Sequence, residues 1–172
     1  MSFEVRRLTA EDAVRYGGVR ARMLREHPAS YVSSPDEVSG KSDDELRAFL
    51  FSRNSGEADF ILGAFEAGEL IGTSGLFRYA QPKRRHLAEI WGVWTHPEAR
   101  RRGIARALVT ETMERGRVVS GITHLRIGAS ASNEGAAKLY RSLGFATWGV
   151  EPASLQLETG EVHGEIHMSL AL

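Results

Sequence analysis

The segment that most limits the fold is a strand that turns directly into a helix. Residues 86–95 are rich in bulky and branched side chains, which favours a strand, and His96-Pro97 ends it because proline disfavours a continuing helix or central strand. Residues 102–118 then predict an amphipathic helix, with charged residues between the apolar positions Ile104, Leu108 and Met113. A strand joined to such a helix by a short turn is typical of a layered α/β protein.

The turn between this strand and this helix carries Arg100, Arg101, Arg102 and Gly103, and Arg106 follows in the first helical turn. The first turn of a helix has unpaired N–H donors and the positive end of the helix dipole, and a glycine lets a ligand approach the backbone closely. The arginines add positive charge on the same side. The junction is therefore a candidate phosphate site, although a solvated basic helix terminus explains the same residues.

The rest of the chain alternates strands and helices. A strand at 3–8 precedes a helix that ends near Glu26, and a capping box at Ser42-Asp43-Asp44-Glu45 starts a second helix that ends near 54–56. The other predicted elements are a hairpin of 59–65 and 70–79, the strand 86–95, the helix 102–118, a strand at 124–129, a helix at 133–142 and strands at 145–150 and 162–171. This order predicts an α/β fold of the mixed α+β kind, with a central mixed β-sheet flanked by helices.

Composition narrows the classes of function. A chain of 172 residues without an internal linker predicts a single domain over residues 1–172. The 22 Lys+Arg balance the 22 Asp+Glu, so no overall field attracts nucleic acid. Cysteine is absent, which excludes disulfides and thiolate nucleophiles, and no apolar run approaches the roughly 20 residues that span a bilayer. Without a signal-peptide pattern either, we expect a cytoplasmic protein with no nucleic-acid or membrane partner.

A second informative segment covers residues 133–145. Asn133 is a favourable helix N-cap, and Gly144 suits the left-handed conformation that ends a helix. Between them, Ala136, Leu139 and Tyr140 recur at helical spacing. Considered alone, Tyr140 is expected to be a core aromatic residue with a satisfied hydroxyl.

Together, the two segments resemble the signature of the GCN5-related N-acetyltransferase family. The family pattern is Arg/Gln-x-x-Gly-x-Gly/Ala after the fourth strand, followed by Asn-x-x-Ala-x-x-Leu-Tyr-x-x-x-Gly-Phe. The chain carries Arg100-x-x-Gly103-x-Ala105 and Asn133-x-x-Ala136-x-x-Leu139-Tyr140-x-x-x-Gly144-Phe145. The predicted order of elements also resembles that fold over nearly the whole chain. Ala105 stands where glycine is more usual, which adds one methyl group beside the phosphate loop.

The resemblance implies an acyl-CoA N-acyltransferase fold in which acetyl-CoA, the co-substrate, lies where the fourth and fifth strands separate. It implies that backbone groups near Val93 contact the pantetheine arm and polarise the thioester, and that backbone N–H groups before the following helix hold the pyrophosphate. Asn133 resembles the asparagine that bonds the cofactor. The residues so assigned to acetyl-CoA are Val93, Trp94, Thr95, Arg100, Arg101, Arg102, Gly103, Ile104, Ala105, Arg106, Asn133 and Tyr140.

Acetyl transfer to an amine also sets chemical requirements. An ammonium must lose a proton, and Glu89 is the candidate base because its place before the phosphate loop matches the glutamate of histone-type family members. A solvated or salt-bridged strand glutamate is the alternative. The oxyanion needs a donor, which a strand distortion between Val93 and Thr95 would supply. The resemblance assigns Tyr140 as the general acid for the CoA thiolate, and alternation puts Glu89, Trp91 and Val93 on one face unless a bulge intervenes.

The expected acceptor is the primary amine of a small molecule, with direct transfer in a ternary complex. A protein N-terminus or lysine is the second candidate, and a non-catalytic acyl-CoA sensor is the third. Acceptor choice is expected to depend on residues 29–55. No metal is expected, because His163 and His167 lie on a predicted strand, about 13 Å apart. A homodimer formed through the strand at 162–171 stays open.

Overall fold

The computed structural model describes residues 2–172, and these residues form seven strands and four α-helices in the predicted order. The α/β fold with a mixed central sheet is thereby confirmed. The elements are β1 (Glu4–Arg7), α1 (Ala13–Glu26), α2 (Asp43–Ser52), β2 (Phe60–Glu66), β3 (Glu69–Arg78), β4 (Leu87–Thr95), α3 (Ile104–Val118), β5 (His124–Ser130), α4 (Glu134–Ser142), β6 (Ala146–Gln156) and β7 (Val162–Ala171).

All seven strands belong to one sheet, in the order β1-β2-β3-β4-β5-β7-β6. Neighbouring strands are antiparallel except β4 and β5, which run parallel. Their pairing extends only from Leu87 opposite His124 to Ile90 opposite Ile127, although β4 continues to Thr95. The two strands therefore separate at their carboxyl ends, on the side of the sheet edge from which α3 and α4 begin.

The helices cover the two faces of the sheet. Ile104 and Leu108 of α3 are fully buried against sheet residues such as Leu125, as the helical spacing predicted. On the opposite face, Tyr16 of α1 and Leu46 of α2 belong to a second buried cluster. Burial of apolar side chains on both faces, each contributing roughly 1.5–3 kcal/mol, holds the strands that border the gap.

Local signals at two helix starts are confirmed. The capping box joins Ser42 and Glu45, whose carboxylate accepts a 2.7 Å hydrogen bond from the Ser42 N–H. The Asn133 side chain accepts a 3.1 Å bond from the Ala136 N–H. Such bonds satisfy N–H groups that a helix cannot pair internally.

β6 is longer than predicted, since it continues past Val150 to Gln156. The extension includes Pro152, and β6 is an edge strand, where proline is tolerated. A register shift between Glu151 and Leu155 accommodates it, and pairing with β7 then resumes. Within residues 2–172, none of the helices has the length and apolar character needed to cross a membrane.

Candidate active site

A cleft of about 1240 Å³ occupies the gap between the separated ends of β4 and β5. Its walls come from residues 89–95 of β4, 127–130 of β5, the turn before α3, the first turns of α4, and residues 26–33 after α1. The separation of the fourth and fifth strands is what the family resemblance implied. The cleft therefore brings together two motifs that are about 30 residues apart in the chain.

β4 has a bulge where it borders the cleft. Gly75 of β3 lies opposite Trp91 and Thr73 lies opposite Trp94, so one extra residue is inserted in β4. Gly92 has φ +61°, a left-handed value that favours glycine. Strict alternation is wrong beyond Trp91: Val93 packs against the cluster on the α3 side, while Trp94 joins the α1 residues of the opposite face.

Two side-chain hydroxyls hold the bulge. Thr73 Oγ1 donates a 2.8 Å hydrogen bond to the carbonyl of Gly92, and Tyr31 Oη donates a 2.9 Å bond to the carbonyl of Val93. In a trans peptide, the C=O and the following N–H point in opposite directions. Because the Gly92 carbonyl points toward β3, the N–H of Val93 points away from β3, toward the gap that opens beside β5.

The turn before α3 presents unpaired N–H groups. Within residues 2–172, the backbone N–H groups of 101–106 have no hydrogen-bond acceptor, and the first helical bond runs from the Ala107 N–H to the Gly103 carbonyl at 2.9 Å. Arg101 and Gly103 have φ +61° and +80°, both left-handed. Left-handed residues in such a turn make consecutive N–H groups converge into a concave site for anions. The backbone thus fits a diphosphate without any side-chain contribution.

The arginine side chains of this turn differ in direction. Arg102 donates from its two terminal nitrogens, Nη1 and Nη2, to the carboxylate of Glu66 at the end of β2, and this bonding lowers the pKa of Glu66. Arg102 does not line the cleft, so its charge is directed away from the expected phosphate position. Arg100, Arg101 and Arg106 do line the cleft.

Tyr140 lies on α4 and is only 4% exposed, and it lines the cleft. Burial, together with nearby Tyr31, raises the pKa of Tyr140 above its usual value. Within residues 2–172 its hydroxyl has no hydrogen-bond partner, which differs from the satisfied core tyrosine expected of an isolated motif. A protonated hydroxyl without a partner is a proton donor available to the cleft.

Glu89 lies half-buried in β4 and lines the same cleft. Its carboxylate accepts a hydrogen bond from the hydroxyl of Tyr79, which is near the end of the neighbouring strand β3. Burial first, and then this bond, raise the pKa of Tyr79, so Tyr79 stays a donor at neutral pH. Glu89 thus has a specific partner and is more than a solvated strand residue.

Sequence patterns did not indicate Tyr31, Thr73 or Tyr79 as site residues. The register of β3 and β4 sets Phe77 opposite Glu89, and Tyr79 follows directly after the end of β3. This register comes from tertiary pairing, so no sequence signal pointed to Tyr79. Tyr31 lies in a Ser/Pro-rich connection without periodicity, so nothing local points to its contact with Val93. Asn133 is used as the helix cap and also lines the cleft.

The fold is that of known N-acetyltransferases. A GNAT-family acetyltransferase from Streptococcus pneumoniae superposes with a TM-score of 0.88 at 19% identity, covering 99% of this chain and 100% of that chain. A phosphinothricin acetyltransferase from Sinorhizobium meliloti, in complex with acetyl-CoA, superposes with a TM-score of 0.82 at 21% identity, covering 100% and 89%.

The sequence supports the same class. The model of the acetyltransferase (GNAT) family matches residues 21–145, and the chain belongs to this family. A mycothiol acetyltransferase from Salinispora tropica is 29% identical over 91 residues, which cover 53% of this chain. The matched stretch spans only 30% of that relative's length.

Proposed function

We propose that this chain transfers the acetyl group of acetyl-CoA to the primary amine of a small molecule, by direct transfer in a ternary complex. The observation that supports this most is the gap between β4 and β5, which leads to the unpaired N–H groups of residues 101–106. Membership of an acetyltransferase family supports the donor. Acetyl-CoA bound to the Sinorhizobium relative is consistent with it.

In this proposal, the N–H groups from Arg101 through Arg106 bind the pyrophosphate of acetyl-CoA, assisted by the charge of Arg100 and Arg106. Val93, Trp94 and Thr95 border the pantetheine arm. The hydroxyl of Thr95 is buried without a hydrogen-bond partner in residues 2–172, so a polar group of the ligand would relieve an unsatisfied atom. The side-chain nitrogen of Asn133 is the further donor, since its oxygen caps α4.

The transfer uses three groups of the chain. Glu89 takes a proton from the substrate ammonium, directly or through water, which frees the nitrogen lone pair for attack on the thioester carbon. The N–H of Val93 stabilises the oxyanion as the tetrahedral intermediate forms. The carbon–sulfur bond then breaks, the intermediate loses its second amine proton to water, and Tyr140 protonates the departing sulfur to give free CoA and an amide.

A small acceptor is favoured by the connection between α1 and α2. Tyr31 in this connection lines the cleft, and its hydroxyl bonds to the Val93 carbonyl of β4, so the connection forms one wall of the cleft beside the bulge. An extended peptide would need this contact to open. A protein N-terminus or lysine is therefore the second candidate acceptor, and an acyl-CoA sensor without turnover is the third.

Thiol release from acetyl-CoA, followed with a panel of small amines, N-terminal peptides and lysine peptides, tests the proposal. We expect release with at least one small amine, and weaker or no release with the peptides. Release with peptides alone would replace the small acceptor by a protein. Calorimetric binding of CoA without release in any mixture would favour the sensor, and no binding at millimolar CoA would remove the donor assignment.

The remaining parts of the proposal concern organisation. Both core clusters pack on opposite faces of one sheet, which supports a single N-acetyltransferase domain over residues 1–172. A cytoplasmic location stays a prediction. A homodimer also stays a prediction, but the strand at 162–171 is not free for edge pairing, because β7 is paired with β5 on one side and with β6 on the other. Trp148 and Val150 on the edge strand β6 are exposed apolar residues at the place where a second copy would pair. Light scattering on the purified chain tests the dimer.

A further inference from the structure

Arg20 of α1 is a buried cation whose hydrogen bonds are incomplete. Its side chain is 5% exposed, with Nε and Nη2 bonded to the Glu37 carboxylate at 3.2 and 3.0 Å and Nη2 also to Ser33 at 3.0 Å. Within residues 2–172, Nη1 has no hydrogen-bond partner. The hydrogen-bonding capacity of Nη1 is therefore unused by the protein and is open to a ligand or to water.

The free nitrogen of Arg20 faces the cleft. It lies 4.0 Å from the position that a Cβ on Gly92 would occupy, and both Arg20 and Gly92 line the cleft. Nη1 is not fully buried, so it remains in contact with the open space of the cleft. The two N–H groups of Nη1 are therefore available to a ligand beside the β4 bulge.

The charge around Arg20 is not balanced. Glu37 is shared, because its other oxygen accepts a 2.9 Å bond from Nη2 of Arg53. Two guanidiniums thus share one carboxylate, so the group formed by Arg20, Glu37 and Arg53 carries one net positive charge. Nε of Arg53 is a second buried donor without a partner in residues 2–172. This environment attracts an anion and repels an acceptor that carries only ammonium groups.

The positive group is fixed before any ligand binds. The Trp91 ring lies 5.5 Å from the Arg20 guanidinium and 5.6 Å from that of Arg53, within cation–π distance of both. The indole itself rests on Gly75, where any Cβ would be 2.6 Å from the ring. Preorganised donors bind an anion with a smaller loss of conformational entropy.

We propose that Arg20 binds a carboxylate of the acceptor, so that the substrates of this chain are amino acids or other amines that carry a carboxylate. The inference rests on the proposed function. Glu89 precedes Gly92 by three residues, which is roughly 10 Å of strand. The substrate ammonium is then directed toward Glu89, while its carboxylate pairs with Nη1 of Arg20 beside the bulge where the thioester is held.

The test begins with the unaltered protein and needs no variant. Thiol release is measured with matched acceptors that share a side chain: histidine, histamine and histidinamide, and the same three forms of phenylalanine. The decarboxylated amine has a higher amine pKa and the carboxamide a lower one, so a preference for the acid over both reports the carboxylate. We expect a kcat/KM about 10–100-fold higher for at least one acid than for both of its counterparts that lack the carboxylate.

Substitutions at Arg20, with a control at Arg15, then assign the preference to Arg20. Arg20→Gln is expected to lower kcat/KM for the acid by about 10–100-fold, to leave the KM for acetyl-CoA unchanged, and not to lower kcat/KM for the matched amine and carboxamide that lack the carboxylate. Arg15→Gln, an exposed arginine of the same helix that does not line the cleft, is the matched control and should change neither value. Circular dichroism checks that both variants fold, and Arg20→Lys, which keeps the charge, should recover part of the preference if Arg20→Gln does not fold.

Failure of the carboxylate assignment and failure of acetyl transfer give different results. If the acids turn over no faster than their amines and amides, the carboxylate assignment is wrong, but the proposed acetyl transfer still stands. A preference that Arg20→Gln does not reduce also overturns the role of Arg20. No thiol release with any amine in the panel overturns the proposed function, and the acceptor class with it.

Discussion

The hydroxyl of Tyr31 donates a 2.9 Å hydrogen bond to the carbonyl oxygen of Val93, which is 62 residues further along the chain. This bond ties the connection between α1 and α2 to the bulge of β4. It also fixes the peptide that joins Val93 to Trp94, next to the N–H proposed as oxyanion donor. A residue outside every recognisable motif is thus bonded to the strand that borders the cleft.

Tyr31→Phe removes this bond and leaves the ring in place. We expect kcat to fall about 3–10-fold, which corresponds to roughly 0.5–1.5 kcal/mol for one hydrogen bond, because the Val93 peptide is no longer held. The calorimetric affinity for CoA should change less. Tyr16→Phe, another buried tyrosine that lies outside the cleft, is the control. Equal effects of the two substitutions would show that only packing is involved.

Glu89→Gln tests the proposed base. Glutamine keeps the size of the side chain and can still accept a bond from Tyr79, but it cannot take a proton at neutral pH. We expect kcat to fall by about 10²-fold or more, with CoA affinity unchanged. Steady-state kinetics from pH 6 to 10 make the comparison. We also expect the rate of the variant to recover at alkaline pH, where the amine is already neutral. A variant that keeps the wild-type rate at pH 7 would exclude Glu89 as the base.

Tyr140→Phe removes the proposed general acid. We expect kcat to fall by about 10–100-fold, because the CoA sulfur leaves without a proton. Burial raises the pKa of Tyr140 above 10, so the wild-type hydroxyl stays protonated through the assay range and its ionisation should produce no decline in kcat below pH 10. A loss of rate with an apparent pKa near 8 that disappears in the variant would contradict this assignment.

Gly103→Ala tests the phosphate turn. Gly103 has φ +80° and no atom within 4 Å of a would-be Cβ, so alanine adds backbone strain of about 1–2 kcal/mol without a clash. We expect CoA binding to weaken roughly 5–30-fold, because the strain displaces the N–H groups that bind the pyrophosphate. Gly160→Ala, with φ +85° and equally open space at the β6–β7 turn, is the matched control. It should cost stability and leave calorimetric CoA binding unchanged.

Local chemistry explains what the sequence could predict. Proline after His96, glycine at 103 and the helical spacing of Ile104 and Leu108 each act over a few residues, so the junction of β4 and α3 was predictable. The family resemblance then linked this junction to the motif at Asn133. Both motifs line one cleft, which is why the candidate site could be outlined from the sequence.

Tertiary pairing explains what the sequence could not predict. An extra residue in a strand is defined only against its partner, and here the register from Thr73 to Gly75 reveals the bulge at Gly92. Strict alternation therefore placed Val93 on the wrong face. The direction of Arg102 depends on Glu66, 36 residues away, and nothing near Arg102 signals that partner.

Asp12 is a buried carboxylate just before α1, and its ionisation links stability to pH. Its side chain, 4% exposed, accepts bonds from Arg6 at 2.7 and 2.9 Å and from the Thr9 N–H at 2.8 Å. These bonds, with that of Arg6 the largest cause, lower the pKa of Asp12 from 3.8 to about 2. A lowered carboxyl pKa stabilises the fold above pH 3.8, and the contribution disappears as the pH falls toward 2.

Asp12→Asn should therefore lower the free energy of unfolding by about 2 kcal/mol at pH 7, since each pKa unit corresponds to about 1.4 kcal/mol. The difference from the wild type should shrink as the pH falls from 4 to 2, because the wild-type carboxyl is then protonated. Urea unfolding at several pH values measures it. Asp44→Asn, at a 94% exposed side chain paired with Arg47, should change stability by less than about 0.5 kcal/mol. If the difference in the free energy of unfolding between Asp12→Asn and the wild type stays constant from pH 4 to 2, Asp12 stabilises the fold through its packing and not through its charge.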